Sequence, residues 1–358
     1  MTQTLMLILE KIGSKDRDFR YMATSDLQTE LIQGKFKTDP ETERKLCTAL
    51  VNQLDDAGDI SGLAVKCLGL LIRKVGEQRA EDTIKVLCDK VVNVSTSNKQ
   101  QQRDIASIAL KTVISDIPGG NLAVNGSAII ANKMLEAVGK ESSDAVGDAL
   151  DILTEVLLKF GSLLGSLLGA IQVALLSLLD DPRAAVRKRA MHCTGALSMF
   201  LPDAPLASLV QSLLERLQQP GLKPDMVHIY VQAMGQVRGG SDDDAYSDDE
   251  EQSWKVRRAA AKLLSALASS YVDAIPQVYG SAATELVSRF KEREENVKVD
   301  VFATFVVLAR QVAAAAKRFA PDDPESPLAK LSADVPHVLR GLSRTLLAKN
   351  PKTKVAAF

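Results

Sequence analysis

The side chains that most often perform chemistry in proteins, imidazoles and thiols, are few and scattered in this sequence. The histidines are His192, His228 and His337, and the cysteines are Cys47, Cys67, Cys88 and Cys193. A zinc site needs three or four such ligands at short, characteristic spacings, and no Cys-x-x-Cys pair occurs. The sequence therefore predicts no metal site. It favours thiols that serve as small core residues in a reducing compartment.

Nucleophilic and acid–base chemistry are not favoured either. His192 and Cys193 are adjacent on a predicted helix, so their side chains point in different directions, whereas a nucleophile and its base must converge. Paired acids such as Asp180-Asp181 fall at predicted loops and helix starts. No phosphate-binding, dinucleotide-binding, zinc-protease or nucleophile-elbow motif is present. We therefore predict that the protein is not an enzyme and uses no cofactor.

A run of acids is followed at once by a group of basic residues. Residues 241–251 contain seven carboxylates and no base, which predicts a solvated, disordered loop. The carboxylates are those of Asp242, Asp243, Asp244, Asp248, Asp249, Glu250 and Glu251. Within the run, Ser247 begins a Ser-Asp-Asp-Glu motif that fits an acidophilic kinase site. The basic residues that follow are Lys255, Arg257, Arg258, Lys262, Lys291, Arg293 and Lys298.

Two interpretations of these basic side chains are open. They either solvate their helices and neutralise the acidic loop, or form a charged rim that contacts a partner protein. Nucleic acid is disfavoured as that partner. The 44 Lys and Arg residues are balanced by 45 Asp and Glu residues, whereas duplex-binding proteins are normally basic or carry a basic stripe.

Composition indicates the elements that must hold these residues. Hydrophobic residues make up 46% of the chain but aromatic residues only 4%, which favours helices packed on aliphatic seams over sandwiches and barrels. The length of 358 residues exceeds the roughly 250–300 at which a single core stops growing. The chain is therefore expected to form several domains or an elongated array.

An uncharged run of twenty residues, 160–179, has two possible interpretations. Its spacings Gly161–Gly165 and Gly165–Gly169 are typical of self-associating membrane helices, which would make the protein a membrane-anchored regulator. The alternative is a loop followed by a buried helix at 170–179. The missing aromatic belt and basic flank favour this second interpretation. Because the N-terminus also lacks the features of a secretory signal, we expect a protein of the cytoplasm and nucleus that binds no membrane.

The sequence repeats itself about every 41 residues. In the segment from Asp181 to Ala190, Asp181 is predicted to be the N-cap and Pro182 the first residue of a helix. An acid or small polar residue is followed, five positions on, by an apolar residue and then a polar one. These anchors fall at 19, 60, 103, 146, 186, 256 and 297, with Arg103 the weakest match. Amphipathic segments such as 41–54, 80–94 and 204–218 precede the anchors.

This pattern predicts an all-α, HEAT-repeat (armadillo-like) α-solenoid with about eight complete or partial helix-pair repeats. The first helix of each pair is called first-type and the second, which carries the anchor, second-type. The acid-to-Arg spacing allows a ladder of capping contacts and ion pairs between repeats. Asp181 and Arg187 are therefore expected to serve the stack before any ligand.

The regularity breaks near two thirds of the chain. A second-type segment at 225–238 is followed by Gly239-Gly240 and the acidic run, and another second-type helix begins at Ser253-Trp254. No first-type helix lies between the two, and nothing in this sequence can fill that layer. We therefore predict HEAT repeats at residues 1–238, an acidic loop at 239–253 and further repeats at 254–358.

Several runs extend beyond the generic repeat pattern. They are WKVRRAAAKLL (254–264), SRFKEREENVK (288–298), LAVKCLG (63–69), DFRYMAT (18–24), RDIASIALKTVI (103–114) and AVRKRA (185–190). With the acidic loop directly before WKVRRAAAK, they resemble the N-terminal portion of the cullin-associated and neddylation-dissociated protein (Cand) family. The resemblance covers most of the chain.

The resemblance implies a non-enzymatic scaffold that binds the RING-bound end of an unneddylated cullin. Family members regulate the assembly of cullin–RING ubiquitin ligases by exchanging substrate receptors. The implied partners are therefore a cullin and its RING subunit, bound by a monomer. The chain departs from the family by an internal gap of about one and a half repeats after Arg238 and by the lack of a C-terminal half. Cullin binding is carried over, and exchange is not. The alternative is a generic HEAT scaffold, of the transport-receptor or phosphatase-scaffold kind.

Overall fold

The computed structural model describes residues 3–33, 38–56, 58–92, 100–139, 145–237, 253–270, 275–316, 326–346 and 351–357. Within these ranges the regular elements are α-helices and short 3-10 helices, and no β-strand occurs. The chain divides into two compact units, residues 1–202 and 203–358.

The described residues of the first unit form ten α-helices. They are α1 (Gln3–Ile12), α2 (Arg17–Ile32), α3 (Pro40–Gln53), α4 (Gly58–Ile72), α5 (Glu77–Val92), α6 (Gln100–Asp116), α7 (Asn121–Val138), α8 (Val146–Phe160), α9 (Leu168–Leu178) and α10 (Ala184–Ser198). The odd-numbered helices are first-type and pack on one another in sequence order, and the even-numbered helices are second-type and do the same. Each odd helix also packs against the even helix that follows it. The unit is therefore five helix pairs in two layers.

The second unit contains seven α-helices among its described residues. They are α11 (Asp203–Leu217), α12 (Pro224–Gly235), α13 (Ser253–Ser270), α14 (Ile275–Ser288), α15 (Glu295–Ala315), α16 (Pro327–Leu346) and α17 (Pro351–Ala357). Helices α11 and α12, α14 and α15, and α16 and α17 form pairs, while α13 packs between α12 and α15. With the first unit this gives eight pairs plus α13 in the part of the chain that the structure covers, which confirms the predicted helical-repeat fold.

The apolar anchors mostly occupy the core, as the repeat predicts. Ile60, Val146, Val186 and Val297 are all at most 5% exposed, because each faces the neighbouring helices of the stack. Phe19 is an exception, since it is 49% exposed. Its helix, α2, is the first in the row of second-type helices and packs on a second-type neighbour, α4, along one flank.

The start of α10 differs from the prediction. The helix begins at Ala184 with Arg183 as its N-cap, so Pro182 lies before the helix and Asp181 is not the cap. Instead, the Asp181 Oδ1 accepts a hydrogen bond of 2.8 Å from the backbone N–H of Arg183. The carboxylate thus stabilises the turn that leads into the helix, which explains why the sequence resembled a cap two residues too early.

The uncharged run at 160–179 is divided between three elements. Helix α8 ends at Phe160, a 3-10 helix covers Gly161–Leu163, and α9 begins at Leu168. Val173 of α9 is 71% exposed, so the predicted helix forms but is amphipathic and not fully buried. Among the described residues, no helix is both long enough and apolar enough to span a membrane.

Candidate interaction surface

The thiols of the chain are built into the core. All four cysteines are free and buried, and burial raises the pKa of Cys67, Cys88 and Cys193 to about 12. A thiol with so high a pKa forms almost no thiolate at neutral pH and is a poor nucleophile. Across the described ranges, no group of three His, Cys, Asp or Glu side chains is placed to hold a metal ion.

Arginines at the starts of second-type helices connect consecutive repeats. The Arg20 guanidinium donates to the Ser14 and Lys15 carbonyls and, through Nε at 2.6 Å, to Asp56 before the next second-type helix. Arg257 contacts Glu292 in the corresponding way, at 2.9 Å. Both arginines therefore bind an acid of the next repeat, and Arg20 also holds the turn before its own helix.

Arg187 occupies the same repeat position and makes the same local contact as Arg20. Its Nη1 donates to the carbonyls of Asp181 and Pro182 at 2.9 and 3.1 Å. The side chain is buried with only 8% exposed. Arg187 and Asp181 therefore hold the turn before α10 in place.

Two further ion pairs join neighbouring second-type helices at other positions of the repeat. Arg17 contacts Asp59 at 2.8 Å, and Arg258 contacts Asp300 at 2.6 Å. Hydrogen bonding to Arg17 lowers the pKa of Asp59. Since such pairs join residues about one repeat apart in sequence, they tie neighbouring helices of the stack together.

Arg103 shows how an apparent exception to the repeat is accommodated. It stands where other repeats carry an apolar anchor, and its side chain is only 8% exposed. Its Nε lies 3.0 Å from Asp148 of the next second-type helix. Burial raises the pKa of Asp148, while the charge of Arg103 opposes that rise. The pair therefore replaces an apolar contact with a mostly buried ionic one.

Lys159 makes a contact between two repeats that the sequence did not predict. Its Nζ donates to the carbonyls of Ile114, Ser115 and Ile117, which lie at the C-terminal end of α6. These carbonyls have no partner within the helix. A lysine in the last turn of α8 was the available signal, but its partners are more than 40 residues away in sequence.

The basic residues that were predicted to form a rim fall into two groups. Arg257 and Arg258 are engaged with Glu292 and Asp300, and the Arg258 guanidinium also lies 5.8 Å from the centre of the Trp254 ring. Lys291 and Arg293, in contrast, are exposed at the turn between α14 and α15. Lys262 of α13 is partly buried.

Other predicted positions lie outside the described residues. These are the acidic run with Ser247, the side chain of Lys255 and the point of the internal gap at Arg238. The partner-contact role of the basic residues, the phosphorylation site and the loop boundary at 239–253 therefore stay predictions.

Glu292, the carboxylate that accepts the hydrogen bonds of Arg257, is held ionised. Burial would raise its pKa, but hydrogen bonds from backbone N–H groups and the charge of Arg257 lower it.

The chain is similar along nearly its whole length to proteins named for their association with cullins. It is 32% identical to cullin-associated NEDD8-dissociated protein 2 of Mus musculus and 33% identical to cullin-associated NEDD8-dissociated protein 1 of Arabidopsis thaliana, over 98% of this chain in both cases. It covers 36% of each of these relatives. The chain thus spans about a third of the length of the relatives it matches. No family model matches the chain.

Two proteins of Emericella nidulans match the chain in part. One is the C-terminal part of cullin-associated NEDD8-dissociated protein 1, to which the chain is 46% identical over 74 residues, 19% of this chain and 7% of that protein. The other is the N-terminal part of cullin-associated NEDD8-dissociated protein 1, to which the chain is 28% identical over 62% of this chain and 73% of that protein.

Solved structures show the same fold. The karyopherin Kap121p bound to the SUMO protease Ulp1p matches 99% of this chain with a TM-score of 0.66, and importin beta matches 99% with a TM-score of 0.59. The matches cover 36% and 46% of those chains. At 14% and 13% identity, they establish the helical-repeat architecture alone.

Proposed function

Because this chain is a partial protein of the cullin-associated NEDD8-dissociated family, we propose that it is a non-enzymatic regulator that binds cullins. The proposed target is the RING-bound end of a cullin that carries no NEDD8. Binding there would regulate the assembly of cullin–RING ubiquitin ligases. We place this activity in the cytoplasm and nucleus, with the protein a monomer before it meets its partner.

One observation carries the proposal. The 32% identity to the mouse relative extends over 98% of this chain, so the similarity includes both compact units and not a single shared repeat. The runs that identify the family also include WKVRRAAAK of α13 and SRFKEREENVK at the turn before α15. A generic helical-repeat scaffold would share the apolar periodicity of these helices without their exposed and polar positions.

The exposed side chains of the first unit support binding through many small contacts. Met22 of α2, Ile108 of α6, Leu158 of α8 and Met199 at the end of α10 are each more than 50% exposed. They lie on second-type helices, which pack side by side. Exposed apolar side chains among charged ones are typical of the contact surface of a protein partner. Four of the five second-type helices of this unit thus offer an exposed apolar side chain to a partner.

The proposal predicts selective recovery of one form of the ligase scaffold. Immobilised full-length chain should retain a cullin–RING complex without NEDD8 and retain much less of the same complex after NEDD8 attachment. Quantitative pull-down with both forms at equal concentration measures the difference. Importin beta, which has the same fold, serves as the control for unspecific adsorption to a helical-repeat surface.

Two results would contradict this function. Equal recovery of the two forms would remove the dependence on NEDD8, and recovery of neither would remove cullin binding itself. Capture of nuclear-transport cargo by a chain that ignores cullins would favour a transport-receptor-like scaffold instead.

The exposed basic turn provides a second test. Replacing Lys291 and Arg293 with glutamate should slow association with the cullin–RING complex by about three- to tenfold at low ionic strength, because exposed charges at an interface act mainly on the association rate. The effect should diminish in high salt. Surface plasmon resonance at two salt concentrations measures both.

This substitution is preferable to reversal of Arg257 and Arg258. Those two side chains are paired with Glu292 and Asp300, so their reversal would place carboxylates together and destabilise the stack. The control is Lys45→Glu with Lys85→Glu, on exposed positions of the first-type helices α3 and α5, which changes the net charge equally. An unchanged association rate in the Lys291/Arg293 variant, or an equal reduction in the control, would exclude the turn from the interface.

A further inference from the structure

The sulfur atoms of the chain are divided between the core and the surface by residue type. All four cysteines are buried. Three methionines are more than 50% exposed, namely Met6, Met22 and Met199. The other methionines of the described residues are buried or partly buried, namely Met134, Met191, Met226 and Met234. In the described part of the chain, the sulfur that solvent reaches most readily is therefore the thioether sulfur of three methionines.

This division decides which side chains react with peroxide. Peroxide oxidises cysteine through the thiolate, and the thiolate must also be accessible. Burial raises the pKa of Cys67, Cys88 and Cys193 to about 12 and raises the pKa of Cys47 as well. The thiols are thus both protonated and inaccessible. A thioether does not ionise, so its exposure controls whether it is oxidised.

Two of the exposed methionines belong to the apolar side chains that support partner binding. Met22 lies on α2, outside the buried face of that helix, and Met199 is the C-cap of α10. The other exposed side chains of this set, Ile108 and Leu158, contain no sulfur. Met6, in contrast, lies on the first-type helix α1. Half of the set is therefore open to oxidation and half is not.

We propose that Met22 and Met199 are sites of reversible oxidation by peroxide, and that their oxidation weakens binding of the partner to the second-type helices of the first unit. The proposal rests on the proposed function, since the partner is the cullin–RING complex. The thioether sulfur attacks one oxygen of hydrogen peroxide, so an S–O bond forms and the O–O bond breaks. The sulfur is oxidised to a sulfoxide, and the second oxygen leaves with both protons as water. Sulfoxide reductases reverse the step with a dithiol, which becomes a disulfide as the sulfoxide oxygen leaves as water.

Oxidation changes the surface from apolar to polar at two of its side chains. A sulfoxide is polar, so the side chain no longer offers the apolar contact of a methionine. Its oxygen accepts hydrogen bonds from water, and burying it against a partner without a donor is unfavourable. We expect binding to weaken about tenfold, as for the loss of one buried aliphatic side chain. Ile108 and Leu158 stay apolar, so binding is reduced and not abolished.

The test oxidises the full-length chain alone with hydrogen peroxide and removes the peroxide before the partner is added. Peptide mass mapping should show that Met6, Met22 and Met199 gain an oxygen atom before Met134 and Met191 do. Surface plasmon resonance should then show about tenfold weaker binding of a cullin–RING complex without NEDD8. Treatment with both methionine sulfoxide reductases, one for each epimer, should restore binding.

Variants at the exposed methionines separate this effect from general oxidative damage. Met22→Leu with Met199→Leu keeps the aliphatic volume, so it should bind like the wild type and keep its binding after peroxide. Met22→Gln with Met199→Gln should bind weakly without any peroxide. The matched control is Met6→Leu, which removes an equally exposed methionine from a first-type helix and should stay as sensitive as the wild type. Far-UV circular dichroism verifies that each variant is folded.

Three results would overturn the proposal: oxidation of the buried methionines as fast as of Met22 and Met199, undiminished binding by the oxidised chain, or the same loss in the double leucine variant. A chain that does not bind the complex even before oxidation would overturn the proposed function, and the regulation with it. The order of oxidation is measured without a partner, so the two failures can be told apart.

Discussion

Replacing Gly161 with valine should lower the free energy of unfolding of the first unit by about 3 kcal/mol, the size expected for overpacking a well-filled contact. Gly161 ends α8, and a Cβ atom placed on it would lie closer to the Phe200 ring than van der Waals radii allow. Phe200 follows α10, the next second-type helix. To make room, the Phe200 side chain must change its conformation or the two consecutive repeats must move apart. Urea unfolding followed by circular dichroism measures the loss.

The backbone conformation at Gly161 indicates that the expected loss of stability has a steric and not a conformational cause. Its φ of −54° and ψ of −35° are helical values that any residue adopts, so a substitution there is opposed by the ring alone. Gly161→Ala combined with Phe200→Ala should therefore be less destabilising than the sum of the single changes.

The matched control is Gly169→Ala in α9. Outside its chain neighbours and the backbone of its own helix, no atom lies within 4 Å of a Cβ at Gly169, and glycine is less favourable than alanine in a helix. This variant should gain about 0.5–1 kcal/mol. Equal losses for Gly161→Val and Gly169→Ala would show that the Phe200 contact has no special role.

The second large effect is expected at the pair of Arg103 and Asp148. Arg103→Met should destabilise the first unit by about 3 kcal/mol, because it leaves a mostly buried carboxylate without its cation. The side chains are 8% and 20% exposed in the pair. Arg103→Met combined with Asp148→Leu should recover most of the loss, since an apolar pair of similar volume has no charge to desolvate. Chemical denaturation of the two single variants and the double variant gives the coupling energy.

The pH dependence of the Arg103→Met variant has a definite sign. Burial already raises the pKa of Asp148 in the folded wild-type protein, and loss of Arg103 removes the charge that opposes this rise. A carboxyl group whose folded pKa lies above its unfolded value stabilises the protein below the unfolded pKa, and that stabilisation is lost as the pH rises through the folded pKa. The deficit of the variant relative to wild type should therefore shrink between pH 7 and pH 4.5. A deficit that grows on acidification would contradict a role for the Asp148 charge.

The exposed ion pair of Arg17 and Asp59 is the control for the Arg103 and Asp148 variants. Its side chains are 60% and 45% exposed, and exposed pairs of this kind contribute little, about 0–1 kcal/mol. Arg17→Met should therefore cost much less than Arg103→Met.

The helices were predictable because their signals are local. The predicted segments 41–54, 80–94 and 204–218 correspond to α3, α5 and α11 within three residues at each end. Apolar spacing of three and four residues defines such a helix without reference to the rest of the chain. The turn before α10 was misassigned at Asp181, because a carboxylate that accepts from a nearby backbone N–H has the same sequence signature whether or not the helix has begun.

The candidate surface was predictable only in part. The interruption of the alternation at α13 followed from the order of segment types along the chain, and among the described helices α13 packs directly against α12 and α15. The basic residues after the acidic run carry no feature in the sequence that divides them into groups. In the structure, Arg257 and Arg258 face acids of the next repeat while Lys291 and Arg293 are exposed. Neighbouring residues in the sequence could not show which of these side chains are paired, because the partners of Arg257 and Arg258 lie 35 and 42 residues away.

The sequence by itself determined the helical class, the period of about 41 residues, the break in the alternation of helix types and the resemblance to the family. Each of these depends on residue identity and on spacing within one or two repeats. Only the tertiary structure decided that Gly161 and not Gly165 or Gly169 is needed for close packing, and that Arg103 is a buried ion-pair partner. It also decided which arginines stay available to a partner. The physical reason is that these properties depend on the distance between atoms of neighbouring repeats, which stacking creates and which no single repeat contains.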